Sequence, residues 1–310
     1  MINALEPHII RASEADVVRA YGSEARFHLC GPQTDGQFTM FTSVTPPGSG
    51  PPPHFHTMDD EWFFILEGEP EFFDGTSWTP VAPGGAVFMP KHSYHTFSNA
   101  GTGSLKMVIH TTPSGFEHFF KKSETEFEKG GEPDMNRITE IAAEFGLYFP
   151  TISPGDADRR GECAVPPVIV QPGEATVLRA FGDEGIILLD TEKTGGKFAS
   201  FVGVTPPGGG PPVHLHELED EWFYVLEGRV SFMLDGAWTD ANPGDVVFAP
   251  RNSVHTFKNN SSRPVRMLIH TAPSGFEKFF AEAAVEFSRG GPVDMNRMAN
   301  LAGEYGIHFV

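Results

Sequence analysis

One pattern limits the possible folds of this chain more than any other: residues 48–68 read GSGPPPHFHTMDDEWFFILEG, and residues 208–228 read GGGPPVHLHELEDEWFYVLEG. The offset is 160 residues at every position, and it also joins His95 to His255, PSGFE at 113–117 to 273–277, and DMNR at 134–137 to 294–297. An ungapped repeat of that period is a whole domain used twice, not a short solenoid unit. Within the repeat, His54 and His56 are one residue apart. On an extended strand they point to the same face, with Phe55 between them pointing the other way. The polar run Thr57 to Asp60 suits a tight turn, after which EWFFILEG resumes a strand and returns Glu61 beside the two imidazoles. PKHSYHTFSN then offers His95 from a strand of its own. Three imidazoles and one carboxylate, His54, His56, Glu61 and His95, read as a metal site, and His214, His216, Glu221 and His255 read as its copy.

The 310 residues have room for two ordinary domains, expected at 1–150 and 151–310, with the Pro-, Gly- and charge-rich stretch of about 150–167 as linker. Twenty-eight phenylalanines against four tryptophans and five tyrosines predict interiors rich in phenyl rings. A net charge of −19, with both halves acidic, argues against a nucleic-acid partner. No apolar run is long enough to span a bilayer, and MINALEPHII has no basic region followed by an apolar one, so a cytoplasmic protein without a membrane partner is expected. Cys30 and Cys163 have no repeat counterparts and fit free thiols in a reducing compartment.

Each half is expected to be mostly β and to end in helices. In Glu61–Glu67, Phe63 and Ile65 share the face of the ligands, while Trp62, Phe64 and Leu66 occupy the other. Ser114 with Glu117, and Ser274 with Glu277, have capping-box spacing ahead of a helix whose Phe116, Phe119, Phe120 and Phe127 form one apolar face. A second helix is predicted from Asp134 to Gly146, with Ile138, Ile141, Ala142 and Phe145 buried. The acidic residues of the ligand turns, Asp59, Asp60, Glu219 and Asp220, are expected to be solvated. His110 and His270 recur at the same offset and are expected to pack or to support the site from behind.

Gly48, His54, His56, Glu61 and Gly68, then Gly84, Pro90, His95 and Asn99, match the two sequence motifs of the cupin superfamily. The second half matches them through Gly208, His214, His216, Glu221, Gly228, Gly244, Pro250, His255 and Asn259. The chain therefore resembles a bicupin, and its EWF(F/Y)(I/V)LEG strand and PSGFE tail are most similar to bacterial flavonol (quercetin) dioxygenase-like cupins. The resemblance implies an all-β fold of two tandem jelly-roll (double-stranded β-helix) barrels, each followed by short C-terminal helices. It departs where the second motif has Gly two residues after its Pro. Here stand His92 and Asn252, and since His enters the left-handed region less readily than Asn, the loop under His95 is expected to differ slightly from its copy.

Such a ligand set suits a divalent transition metal, one per barrel, with Fe, Mn, Ni, Co, Cu and Zn all compatible. Two open coordination positions would allow a small-molecule substrate, and O2, to bind. Glu61 and Glu221 are the candidate proton acceptors. The leading expectation is a metal-dependent dioxygenase for a small enolisable or phenolic molecule. The alternatives are a cupin isomerase, lyase or decarboxylase using the metal as Lewis acid, and a metal- or small-molecule-binding protein without turnover.

Overall fold

The computed structural model describes residues 5–310. It forms two compact units, one of residues 15–174 and the other of residues 5–14 with 175–310. These bounds differ from a division at 150/151, and strand pairing gives the reason. Val168–Val170 runs antiparallel to Ala86–Met89 and belongs to the first unit's sheet, whereas its repeat counterpart His8–Ile10 pairs with Val246–Ala249 in the second. The stretch expected as linker carries a short 3-10 turn at Pro154–Arg159 before that strand.

In the first unit a seven-stranded antiparallel sheet has the order Val168–Val170, Ala86–Met89, Asp60–Glu67, Leu105–Thr112, Thr39–Thr45, Ser23–Leu29, Asp16–Ala20. Facing strands come from Thr96–Asn99, Pro70–Phe73 and Trp78–Pro80, with a small pair, Phe55–His56 and Leu147–Tyr148. The second unit repeats the seven-stranded order and joins its remaining strands into one five-stranded sheet. The predicted alternation holds in Asp60–Glu67: Phe63 and Ile65 enter the barrel core, and Trp62 and Phe64 are buried on the other face. Trp62 stands in register with His110, whose ring stacks on Phe38 with centroids 4.9 Å apart.

Two helices close each unit. Phe116–Phe127 lays Phe116 and Phe119 into the barrel core. Its start differs from the expected capping box, because Gly115 rather than Ser114 is the N-cap. Glu117 instead accepts the backbone N–H groups of Gly31 and Gly115 and the hydroxyl of Thr39, fixing the helix to two loops at once. Met135–Glu144 is capped as predicted, the Asp134 carboxylate accepting from the N–H groups of Asn136 and Arg137, and it buries Ile138, Ile141 and Ala142. Among the described residues no helix is long and apolar enough to cross a membrane. Both cysteines are free thiols.

Candidate metal centres

The proline loop before His54 is held by contacts that only a small residue allows. A Cβ on Gly50 would lie 2.0 Å from the Phe97 carbonyl oxygen, and one on its counterpart Gly210 would lie 2.1 Å from that of Phe257. The Thr96 hydroxyl donates to the Pro51 carbonyl at 2.6 Å, and the Asn99 side chain donates to the carbonyls of Thr45 and Gly103. This docking lets His54 and His95 exchange both backbone hydrogen bonds, at 2.9 and 2.8 Å, so their side chains leave adjacent backbones on one side. His56 follows two residues later, and its carbonyl accepts the N–H of His92 at 2.7 Å. That bond requires a left-handed residue, and His92 (φ 72°) adopts it as Asn252 does (φ 68°), so the two loops do not differ as expected. Glu61 enters from the neighbouring strand.

The donor atoms of His54, His56, Glu61 and His95 all lie within 4.8 Å of one another, as do those of His214, His216, Glu221 and His255. All eight residues are buried. The Glu61 Oε2 is 3.3 Å from the Nε2 of His95 and 3.5 Å from that of His56, and Glu221 Oε2 is 3.0 and 3.7 Å from those of His255 and His216. The far ring nitrogens decide which atoms face inward. Nδ1 of His54 and His95 sits against the carbonyls of Pro52 and Ser93, and Nδ1 of His214 and His255 against those of Pro212 and Ser253. A proton on Nδ1 leaves each Nε2 lone pair directed at the centre, the tautomer a metal needs. Among the described residues the buried Nε2 atoms of His56 and His216 have no hydrogen-bond partner, an arrangement that is costly unless a cation completes it.

Electrostatics fit the same conclusion. Burial, then the neighbouring imidazoles of His95 and His56, hold His54 well below its ordinary pKa, and burial with His255 and His216 does the same to His214, so both rings stay neutral and able to ligate. For His56 burial also pushes down, but Asp59 and Glu61 outweigh it and the net direction is up. Glu219 and Glu221 do the same for His216. The negative charge that favours a proton there equally favours a dication. The donor set thus fits one divalent transition metal per barrel.

Asp59, Asp60, Glu219 and Asp220 are not solvated: all four are buried. Asp59 and Glu219 stand behind the ligands, the Asp59 carboxylate 3.5 Å from Nδ1 of His56 and the Glu219 carboxylate 3.0 Å from Nδ1 of His216. Asp60 accepts from the backbone N–H of Lys91, and Asp220 from that of Arg251 as well as from its guanidinium, at 3.0 and 2.8 Å. The retention of an acid at each of these places in both halves was a signal available in the sequence. His110 and His270 lie on the opposite strand face, packed on Phe38 and Phe198, and are not part of either metal group.

A cavity opens beside each group. The first, with about 760 Å³ of empty space including its mouth, contains His54 and Glu61 in its wall together with Phe41, Phe63 and Phe97. The second, about 690 Å³, contains His214 and Glu221 with Phe201, Phe223 and Phe257.

Two β-barrels, each with a buried three-histidine, one-carboxylate group opening onto an aromatic cavity, define a protein with one metal-binding site per barrel. Residues 41–111 and 201–271 each match the cupin domain, so the chain is a bicupin of the cupin superfamily. It is 23% identical to quercetin 2,3-dioxygenase of Bacillus subtilis (strain 168) over 288 residues, which is 88% of this chain and 85% of that protein. Among solved structures it is similar to oxalate decarboxylase of Lactobacillus farciminis in complex with formate (TM-score 0.62, 14% identity, 89% of this chain and 88% of that one). It is also similar to Bacillus subtilis oxalate decarboxylase, a protein with Mn(II) centres (TM-score 0.62, 19% identity, 88% and 78%). At these identities the structural likenesses speak for the fold alone.

Proposed function

We propose that the chain is a metal-dependent dioxygenase for a small enolisable or phenolic molecule of the flavonol kind. In this reading His54, His56, Glu61 and His95 hold one metal ion, and His214, His216, Glu221 and His255 hold another. The observation that carries the reading is the pairing of each ligand group with a cavity walled by phenyl rings, which suits a flat aromatic ring system stacked at offset or edge-to-face geometry. Similarity to a quercetin dioxygenase over most of both chains supports it. A bound metal would act as Lewis acid toward a substrate oxygen and offer open positions for O2. Glu61 and Glu221 lie in the cavity walls, where a carboxylate oxygen can take the proton of an incoming enol or phenol. The rings of Phe63, Phe97, Phe223 and Phe257 exclude water around that transfer.

Against a small dianion such as a dicarboxylate stands the lining itself. Among the described residues neither cavity wall includes a lysine or arginine, so two carboxylates would have to be desolvated without a fixed cation beyond the metal. The test is oxygen consumption by the metal-reconstituted protein on a panel of flavonols, catechols and small dicarboxylates. Flavonol-dependent uptake is expected. Turnover of a dicarboxylate with none of any phenol would replace this reading with a Lewis-acid decarboxylase.

A further inference from the structure

The two cavities are near copies, and the positions at which they differ are few. At the 160-residue offset, Tyr21, Ser23, Ala25 and Ser43 of the first correspond to Phe181, Asp183, Gly185 and Gly203 of the second. In the first cavity two of the hydroxyls are engaged within the wall: Tyr21 with the Ser123 hydroxyl at 2.9 Å, and Ser23 with that of Thr45 at 3.3 Å. In the second, the spaces left by the two glycines are taken by hydrocarbon. A Cβ on Gly185 would meet Phe280 at 2.9 Å, and one on Gly203 would meet Ile269 at 2.8 Å. Into this apolar wall the strand Asp183–Leu189 places a carboxylate, because Asp183, Gly185 and Ile187 alternate onto the barrel face.

Asp183 is only partly satisfied within the fold. Its Oδ1 is shielded from solvent and has no hydrogen-bond partner among the described residues. Burial pushes the pKa of the carboxyl up to about 6, against the opposing effect of a hydrogen bond with Thr205. Its neighbour in the wall, Glu184, is by contrast ion-paired with Arg179 at 2.5 Å. The sheet register separates Asp183 from the metal group. Glu184 is level with Val204, Arg266 and Glu227, whereas Glu221 is level with Thr271 and Ala199, five residues away along two of these strands and six along the third. One cavity therefore has a metal group at one end of its register and an acceptor in want of a donor at the other.

We propose that Asp183 makes the second cavity selective for an aromatic ligand that carries, besides the oxygen directed at the metal group, a hydroxyl or N–H donor on its far side, while the first cavity has no such requirement. This rests on the reading above that the cavities take phenolic molecules. It makes the two barrels non-equivalent in substrate choice despite identical metal ligands. A buried acceptor of this kind discriminates strongly, because a ligand lacking the donor leaves the carboxyl unpaired.

The experiment uses zinc-loaded full chain carrying His54→Ala, so that binding reports on the second barrel, and titrates it by calorimetry with 3-hydroxyflavone and with derivatives bearing one extra hydroxyl on either outer ring. At least one derivative is expected to bind tenfold or more tightly than the parent. In Asp183→Ser and in the isosteric Asp183→Asn the preference should fall to within about twofold while parent affinity is kept. In the mirror protein, with His214→Ala in place of His54→Ala, Ser23→Asp should create the preference. Equal binding of parent and derivatives to the starting protein, or a preference that survives both Asp183 variants, overturns the proposal while leaving the flavonol reading intact. No binding of any flavone, parent included, overturns the flavonol reading and this proposal with it. Melting temperature separates a fold role: neither variant should melt lower than the starting protein at pH 7.5, and a drop of several degrees in both would assign Asp183 to the scaffold.

Discussion

The two barrels hold the same four ligand types in the same geometry, yet what stands behind those ligands differs. In the first, Asp59 stays 3.5 Å from His56, at the outer edge of hydrogen-bond range, and Asp60 is held by a backbone N–H. In the second, the longer Glu219 reaches His216 at 3.0 Å, and Arg251 grips Asp220 with its planar fork. Duplication has kept the metal chemistry and let its support diverge. A hydrogen bond from the far nitrogen orients a ligating imidazole and raises its basicity, so the second barrel is expected to bind its ion more tightly.

Single-barrel substitutions break this comparison most severely. Glu61→Gln and Glu221→Gln keep side-chain shape but remove the proton acceptor. Each is expected to lower turnover in its own barrel by about 10²- to 10⁴-fold while metal stays bound, and the larger loss of total oxygen uptake identifies the more active barrel. His54→Ala or His214→Ala should instead cost one of two ions per chain by elemental analysis. Full turnover in both Gln variants would remove the proton-acceptor role.

A finer effect is expected from exchanging the supporting acids. Glu219→Asp should weaken the second site and Asp59→Glu strengthen the first, each by roughly 10-fold and at most about 100-fold in metal affinity, read by competition with a chromogenic chelator. Equal affinities in the unaltered barrels would show that the 0.5 Å difference in reach has no consequence.

Chelation tests how far either barrel depends on its ion. Both cores are continuous apolar clusters, so removing metal should lower the melting temperature without loss of β-sheet circular dichroism at 25 °C, unlike a zinc finger. The smallest effect concerns acid. Burial pushes His110 down to about 3, whereas an unfolded histidine titrates near 6.5. With the folded pKa depressed, its contribution to stability is present above pH 6.5 and is lost progressively as pH falls toward 3. His110→Phe, which keeps an aromatic ring against Phe38, should therefore lose less stability between pH 6.5 and pH 4 than the parent, as measured by denaturant midpoints. Identical pH profiles would rule out that titration.

The ligands were legible because HxH, a glutamate and a later histidine recur whole, strand alternation places the two histidines of HxH on one face, and the polar turn after them returns the glutamate. The acids behind them were misread although both halves retain them, since a polar turn reads as solvated until an imidazole is known to back onto it. The cap at Gly115 was hidden for a similar reason: Ser114 and Glu117 have the right spacing, but Glu117 is recruited by Gly31 and Thr39, more than 75 residues away in sequence. Asp183 has no acidic counterpart in the first half, so the repeat that pointed to the metal groups drew attention away from it. The unit bounds were illegible because His8–Ile10 and Val168–Val170 occupy equivalent repeat positions, so the repeat by itself does not say which sheet each strand joins.

That last equivalence sets an order of events on the ribosome. His8–Ile10 leaves the exit tunnel long before its final partner Val246–Ala249 exists, but it meets Ala86–Met89, the same strand of the first barrel, after only about a third of that wait. At roughly 5–20 residues per second, the earlier pairing has several seconds to form before Val168–Val170 arrives to claim the edge. Such a pairing would shield, until Val168–Val170 takes its place, an edge that otherwise invites aggregation.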